Sequence, residues 1–422
     1  MITLKENQSK IFLDDSRFIV GICGRRFGKT TTLLVKLICK ALEKKGLYAY
    51  CAPTYRQAKL IAWDIIKGIL PKKYKKKVNE SELSVLLPNG SVIRLFGLDR
   101  AEGMLGIKLA GAVLDEYDQI KQGVYETVVR PALSDSLGFC WFIGNPDSTK
   151  RRLKELYDDV RTKRLDGWGA YHFTSLDGGY IPESEIETAK RELDPRNFRE
   201  QYEASFEDVH GQVYYGFDPE LNIRDDIGIL PNLPLRVCFD FNVNPFCISI
   251  AQIIETETRD ALERTKRIVH CVDEIRLDNS NTAEACKVYL ERFGNHRGGV
   301  IVYGDATGNS RHTSSSLSDY QIIIDHFKNV LGGMKVRIKA SNPPVKDRIN
   351  AVNAMLCNYL GERRMFLARN KTKWLQKDLL NVIYKQGTTE MDKTYDLSLT
   401  HMSDAIGYMV EYEFSVHKGF FK

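Results

Sequence analysis

Phe18-Ile19-Val20-Gly21-Ile22-Cys23-Gly24-Arg25-Arg26-Phe27-Gly28-Lys29-Thr30 is the stretch that decides how the first half of this chain folds. An apolar run of strand length leads into a glycine-bearing turn. A helical pattern follows, with Leu33, Leu34, Leu37, Ile38, Ala41 and Leu42 on one face and Lys44-Lys45-Gly46 as its expected C-cap. Strand, glycine loop and helix in this order form a phosphate cradle, with Gly24, Arg25, Arg26, Gly28 and Thr31 around the anion. In such a loop Lys29 reaches the β- and γ-phosphates of a nucleotide and the Thr30 hydroxyl holds Mg²⁺. One departure stands out: the first glycine of GxxxxGK[ST] is Cys23, with Gly24 one place later.

Working outward, residues 109–114 form a second strand-like run that ends in Asp115-Glu116. Placed after a strand, Asp115 suits the Mg²⁺ shell and Glu116 suits orienting and deprotonating an attacking water. Residues 47–52 and 139–143 read as further strands, the latter ending in Gly144-Asn145-Pro146, and residues 55–70 read as an amphipathic helix. Pro88-Asn89-Gly90 marks a hairpin between residues 85–87 and 92–96. Helices alternating with apolar strands predict a mainly parallel sheet, with ligand at the strand carboxyl ends.

Composition narrows the classes. The chain has 422 residues, 43% hydrophobic and 27% charged, enough for two or three packed domains and against disorder. No apolar run approaches the roughly 20 residues of a membrane span, and residues 1–6 lack the pattern of an export signal. Nine cysteines are scattered singly with no zinc spacing, which fits a reducing compartment. A net charge of +6 permits a polyanionic partner without requiring one.

From Leu235 the pattern changes to successive strands: residues 236–241, 246–251 and 267–274 read as an antiparallel meander with a polar connection at 255–266. A helix at 282–293, a strand at 300–305 and a helix from His401 through Val410 follow. Asp240, Asp305 and Asp404 thereby sit where they can converge. Clustered carboxylates raise each other's pKa unless cations neutralise them, and two divalent ions about 4 Å apart would activate water for phosphodiester hydrolysis. Each aspartate taken singly also reads as a cap or turn residue. Asp404 and Ser403 compete for a helix N-cap, and Glu274 reads as a surface residue or an added metal-shell residue.

With these motifs quoted, the chain resembles the large terminase subunit of tailed bacteriophages over nearly its whole length. The resemblance rests on residues 24–30, Val113-Leu114-Asp115-Glu116, Gly144-Asn145-Pro146, Phe239-Asp240-Phe241, residues 304–308 and Ser403-Asp404-Ala405. It implies an N-terminal P-loop ATPase (residues 1–180), a linking subdomain (181–230), a ribonuclease H-like nuclease domain (231–415) and a tail (416–422). By resemblance, Gln8 reads adenine and Gly144-Asn145-Pro146 couples hydrolysis to movement. Lys29, Thr30 and Asp115 serve ATP and Mg²⁺, Glu116 is the catalytic glutamate, and Asp240, Asp305 and Asp404 hold Mg²⁺ or Mn²⁺ for DNA cleavage. The implied partners are double-stranded DNA, a small terminase subunit and a portal. The implied state is a homo-oligomeric ring, or a monomer in solution before assembly, in the cytoplasm of an infected bacterium and away from membranes.

Two other readings stay open on the residues alone: a helicase-like translocase-nuclease of repair or recombination, and an ATP-gated DNA-binding scaffold without nuclease activity. Arg25, Arg26 and Arg100 are alternative γ-phosphate contacts. Residues 72–77, Lys150-Arg151-Arg152 and the helix start at Val345-Lys346-Asp347-Arg348-Ile349 are alternative DNA contacts. The serine-rich loop at 309–318 reads either as a border of the carboxylate site or as an unconstrained loop, and residues 416–422 either as a partner-docking tail or as a fraying end.

Overall fold

The computed structural model describes residues 3–75, 77–147, 150–163, 165–207, 211–259, 265–310, 317–385, 388, 390–394 and 396–415. The chain divides into two compact units, Met1–Glu185 with Arg199–Asp208, and Ile186–Phe198 with Val209–Lys422. Residues 181–230, read from sequence as a linking subdomain, are shared between them. The tail at 416–422 and most of the serine-rich loop lie outside the described residues.

The first unit is built on an eight-stranded sheet. Its strands are β1 (Phe18–Cys23), β2 (Leu47–Ala52), β3 (Lys77–Asn79), β4 (Ser84–Leu86), β5 (Val92–Gly97), β6 (Gly111–Leu114), β7 (Phe139–Gly144) and β8 (Trp168–Phe173), in the order β3-β4-β5-β2-β6-β7-β1-β8. The pairs among β5, β2, β6, β7, β1 and β8 are parallel, while β3 and β4 add an antiparallel edge. The central strands β1, β6 and β7 are almost wholly buried and read as continuous apolar runs, as parallel strands covered on both faces do.

Helix α1 (Glu6–Leu13) precedes β1, and α2 (Lys29–Glu43) packs Leu33, Leu34, Leu37, Ile38 and Ala41 into the core. The C-cap of α2 is Lys44 in extended conformation. Gly46 therefore is not a cap: a Cβ there would lie 2.6 Å from that of Ala110, so close approach of the chain explains it. The helix expected over 55–70 forms as Tyr55–Ala58 and Asp64–Ile69 joined by a π turn at Lys59–Trp63. Arg152–Lys163 (α3) follows β7.

The second unit has a mixed seven-stranded sheet. Its strands are β9 (Ile223–Arg224), β10 (Leu235–Asp240), β11 (Phe246–Arg259), β12 (Thr265–Leu277), β13 (Val300–Gly304), β14 (Met334–Val336) and β15 (Met365–Ala368), ordered β14-β13-β10-β11-β12-β15-β9. β10, β11 and β12 form the expected antiparallel meander, and β13 pairs parallel with β10. Helices α4 (Thr282–Phe293), α5 (Asp319–Phe327), α6 (Val345–Leu356), α7 (Lys373–Asn381) and α8 (His401–Glu413) accompany the sheet, and α8 packs against β10, β11 and β13. The expected class, α/β with a mainly parallel first sheet and a mixed second one, is what forms.

Glu413 ties the last turn of α8 to three neighbouring segments. Its carboxylate accepts from the Tyr303 hydroxyl of β13 and the Arg267 guanidinium of β12, both at 2.6 Å, and pairs with Arg337. Burial alone would raise its pKa, but these partners bring it from the usual 4.5 down to about 2. A depressed carboxylate contributes stability above its ordinary pKa and loses it as pH falls through the folded value. Glu413→Gln should therefore lower the thermal midpoint of the second unit at pH 7. The gap to wild type should close between about pH 5 and 2, as read by calorimetry across that range.

Candidate functional site

β1 ends at Cys23, which lies in the core, and burial pushes its thiol up to about 12, so it stays neutral. The turn glycine falls one place later for a steric reason. A Cβ on Gly24 would lie 2.5 Å from both the backbone nitrogen and the hydroxyl of Ser175. Arg26 (φ 62°) and Gly28 (φ 90°) take left-handed backbone, and the space a Cβ of Gly28 would occupy holds the Gln8 amide nitrogen at 2.5 Å. Gly28 is the N-cap of α2, so Lys29, Thr30 and Thr31 open the helix where its unpaired N–H groups face outward.

Lys29 Nζ donates to Asn145 Oδ1 at 2.7 Å and pairs with Glu116 Oε1 at 3.3 Å. Burial works to lower its pKa, but the Glu116 and Asp115 carboxylates outweigh it and hold the ammonium charged. Thr30 Oγ1 and the Tyr50 hydroxyl donate to Asp115 Oδ2 at 2.7 and 2.6 Å, while Glu116 N donates to Asp115 Oδ1 at 2.9 Å. Burial first, then Asp115, drives the Tyr50 pKa far up, fixing its hydroxyl as a donor. Glu116 sits in left-handed backbone at φ 51°, a strain of order 1–3 kcal/mol that aims its side chain back over the loop. A hydroxyl and a carboxylate in contact are the oxygen donors a hard cation takes, so Thr30 and Asp115 fit Mg²⁺.

Gln8 comes to the loop from α1. Its amide nitrogen donates to Phe27 O at 2.7 Å, and its oxygen accepts from Lys5 N at 2.9 Å and the Tyr180 hydroxyl at 3.0 Å. One amide hydrogen has no acceptor among the described contacts. Arg25, Arg26 and Arg100 are exposed, beyond the carboxyl ends of β1 and β5. Thr31 is half-buried in the first turn of α2.

In the second unit Phe239 of β10 pairs with Gly304 of β13, so Asp240 and Asp305 stand at the ends of neighbouring parallel strands. Asp240 Oδ2 accepts from Asn242 Nδ2 at 2.8 Å and meets His401 Nδ1 at 2.9 Å, a contact that raises the imidazole pKa. Asp305 accepts from Asn342 Nδ2 at 2.8 Å, Thr307 N at 2.6 Å and the Tyr408 hydroxyl at 2.8 Å. Burial would raise its pKa, but these donors lower it, so the carboxylate stays ionised. His401, Asp404 and Tyr408, spaced three and four residues apart, share one face of α8. Asp404 lies on that face between His401, which meets Asp240, and Tyr408, which meets Asp305, and is held by Arg348 at 3.0 Å and Lys393 at 2.9 Å. Neither Asp404 nor Ser403 is the N-cap, because α8 starts after Thr400. Among the described residues no three His, Cys, Asp or Glu side chains gather around one point. Asp240 and Asp305 nevertheless present oxygens suited to a divalent ion, and Lys393, whose side chain is 58% exposed, is the cation that leaves Asp404 most readily.

Residues 21–220 match the family model described as "Terminase large subunit, T4likevirus-type, N-terminal". The chain is 24% identical over 288 residues to the terminase large subunit of Escherichia phage T5, a match covering 62% of this chain and 65% of that protein, less than two thirds of its length. In the crystal, the large terminase of the thermophilic bacteriophage D6E superposes with a TM-score of 0.62, covering 97% of this chain and 99% of that one at 17% identity. Its complex with ATP-gamma-S gives a TM-score of 0.60 with the same coverage and identity. This chain is similar to large terminase subunits. At such identities the D6E likeness is one of fold, and it spans both units.

Several residues around the terminase-like motifs escape a sequence reading. Tyr50 looks like one more apolar strand residue until its hydroxyl is seen on Asp115. His401 had a usable signal, lying three residues before Asp404 on one helix face. Glu274, half-buried, accepts from the backbone N–H of Trp374 and Leu375 at 2.7 and 3.0 Å, a role no local pattern announces. One arginine in each of two basic motifs also turns inward. Arg152 donates to the carbonyls of Tyr117 (2.9 Å), Asp118 (3.0 Å) and Ile120, and Arg348 is buried on Asp404, so neither is a free DNA contact. Of the 72–77 run, Lys75 donates to Lys67 O at 2.6 Å, Lys73 lies over the Tyr74 ring, and Lys76 falls outside the described residues.

Gly24→Ala should force the loop away from Ser175, at about 1–3 kcal/mol for an overpacked contact. ATP affinity, followed with a fluorescent analogue, should fall at least about tenfold (1.4 kcal/mol), whereas Gly103→Ala, with open space around it, should leave it unchanged.

Proposed function

We propose that this chain is a large terminase subunit that hydrolyses ATP to move double-stranded DNA into a procapsid and cuts the concatemeric genome with a metal-dependent endonuclease. What carries the reading is the meeting of Lys29, Thr30, Asp115 and Glu116 at the carboxyl ends of two parallel strands. The solved ATP-gamma-S complex of a protein with the same fold supports the choice of nucleotide. In this reading the partners are DNA, a small terminase subunit and the portal, and the working form is a homo-oligomeric ring in the infected bacterium's cytoplasm. No helix among the described residues is long and apolar enough to cross a membrane.

The chemistry follows from the geometry. The backbone N–H groups of Arg26 and of Gly28 to Thr31, at the positive end of α2, take the phosphates, those of Gly24 and Arg25 being engaged by the carbonyls of Phe173 and Gln201, and Gln8 offers its remaining N–H to adenine. Lys29 exchanges Asn145 and Glu116 for β- and γ-phosphate oxygens, freeing Glu116 to take a proton from the attacking water. As the water oxygen bonds to the γ-phosphorus, the bond to ADP breaks, and Asn145, deprived of Lys29, passes that change to the segment after β7. Mg²⁺ held by Thr30 and Asp115 would neutralise charge on the β- and γ-oxygens. In the second unit Asp240, Asp305 and Asp404 would hold Mg²⁺ or Mn²⁺, which supply an activated water for phosphodiester cleavage.

Lys29→Ala should reduce ATP turnover by at least about 100-fold while sparing metal-dependent plasmid cleavage; undiminished turnover would reject the loop assignment. Glu116→Ala should bind ATP and fail to turn it over. Asp305→Asn should lose Mg²⁺- or Mn²⁺-dependent cleavage that wild type shows and chelator abolishes, with ATP turnover intact. Cleavage that survives the substitution would mean other carboxylates do the work.

A further inference from the structure

Helices α7 and α8 both begin without a side-chain cap of their own. Thr372, before α7, donates its hydroxyl to Ala368 O at 2.9 Å, and Thr400, before α8, lies in left-handed backbone at φ 78°. The N–H groups of a helix's first turn need acceptors, usually from the N-cap residue itself. Here they come from afar. Glu274, on β12, accepts from Trp374 N and Leu375 N, the second and third residues of α7. Asp378, within α7, accepts from Ser403 N at 2.9 Å, the third residue of α8. Asp378 is 2% exposed, and burial pushes its carboxyl up to about 6; burial likewise takes Glu274 up to about 7. Each carboxylate thus fastens the next element, strand to helix and helix to helix.

The first turn fastened in this way carries His401 and Asp404, which meet Asp240 and the Arg348–Lys393 pair. We propose that Asp378 is a positioning residue that fixes the start of α8, and with it His401 and Asp404, against the strand-end carboxylates, Glu274 setting Asp378 in turn. The inference rests on the nuclease reading for its consequence, but the clamp is measurable without it. Asp378 touches none of Asp240, Asp305 or Asp404 directly among the contacts described, so it acts through the helix.

The test uses the full chain with Asp378→Ala and Asp378→Asn, whose amide oxygen still accepts from Ser403 N. Amide hydrogen exchange over residues 401–404 should quicken at least about tenfold in Asp378→Ala and return most of the way in Asp378→Asn. The Mn²⁺ concentration for half-maximal binding, read by the electron paramagnetic resonance of free Mn²⁺, should rise about 10–100-fold in Asp378→Ala and recover in the Asn variant. ATP turnover should stay unchanged in both. If Asp378→Ala does not fold, Glu274→Ala, one element upstream, should quicken exchange at Trp374 and Leu375 and shift Mn²⁺ binding in the same direction. Unchanged exchange at 401–404, or an Asn variant no better than Ala, overturns the clamp. Quickened exchange in a protein whose wild type neither binds Mn²⁺ nor cuts plasmid upholds the clamp and rejects the nuclease reading instead.

Discussion

Asp115 closes a strand whose four residues are all buried, and it is 1% exposed itself. An ionised carboxylate is tolerated in such a place only if donors answer it. Thr30, Tyr50 and the N–H of Glu116 do so, from the phosphate loop, from β2 and from the next residue. That one demand fixes much else. It brings the start of α2 beside the end of β6, and it gives Glu116 the left-handed backbone that turns it towards Lys29. Lys29, half-buried and charged, then needs Glu116 and Asn145 as much as they need it. A phosphate arriving in the loop competes for a lysine already engaged, so binding is felt at the end of β7 without any separate relay.

The second unit answers the same demand with different means. Asp240 and Asp305 are side by side because β10 and β13 run parallel and in register, and like charges so placed repel. α8 supplies the compensation from one face: His401 against Asp240 and Tyr408 against Asp305, with Asp404 neutralised from behind by Arg348. The helix is held at both ends, by Asp378 at its start and by Glu413 at its close. Its rigidity is therefore a property of buried carboxylates whose burial costs are met by pairing, which is why their partners sit on separate elements.

How much of this was legible in the sequence follows from the range of each interaction. The phosphate loop, Asp115-Glu116 and the strand meander are local patterns, written by apolar periodicity and glycine sterics over a few residues. The displaced glycine was visible as an anomaly, but its reason, Ser175, lies about 150 residues on. Lys29 and Asn145 are separated by 116 positions, and Tyr50 and Asp115 by 65, so no window of sequence holds both partners. Asp378 and Glu274 look like ordinary surface acids on a helix and at a strand end, because nothing near them says that another helix lacks a cap.

Arginine is the sharpest case. In sequence, Arg152 within Lys150-Arg151-Arg152 and Arg348 beside Lys346 read as positive surface for a polyanion. In the fold, Arg152 gathers three carbonyls after β6 and Arg348 neutralises Asp404 over the Tyr408 ring. A guanidinium carries five donors in a rigid fork, so one arginine can satisfy several backbone acceptors at once. Positive charge in a chain built on buried carboxylates is thus partly consumed inside. The net charge of +6 overstates the clustered surface left for DNA wherever a basic motif abuts an acidic strand end.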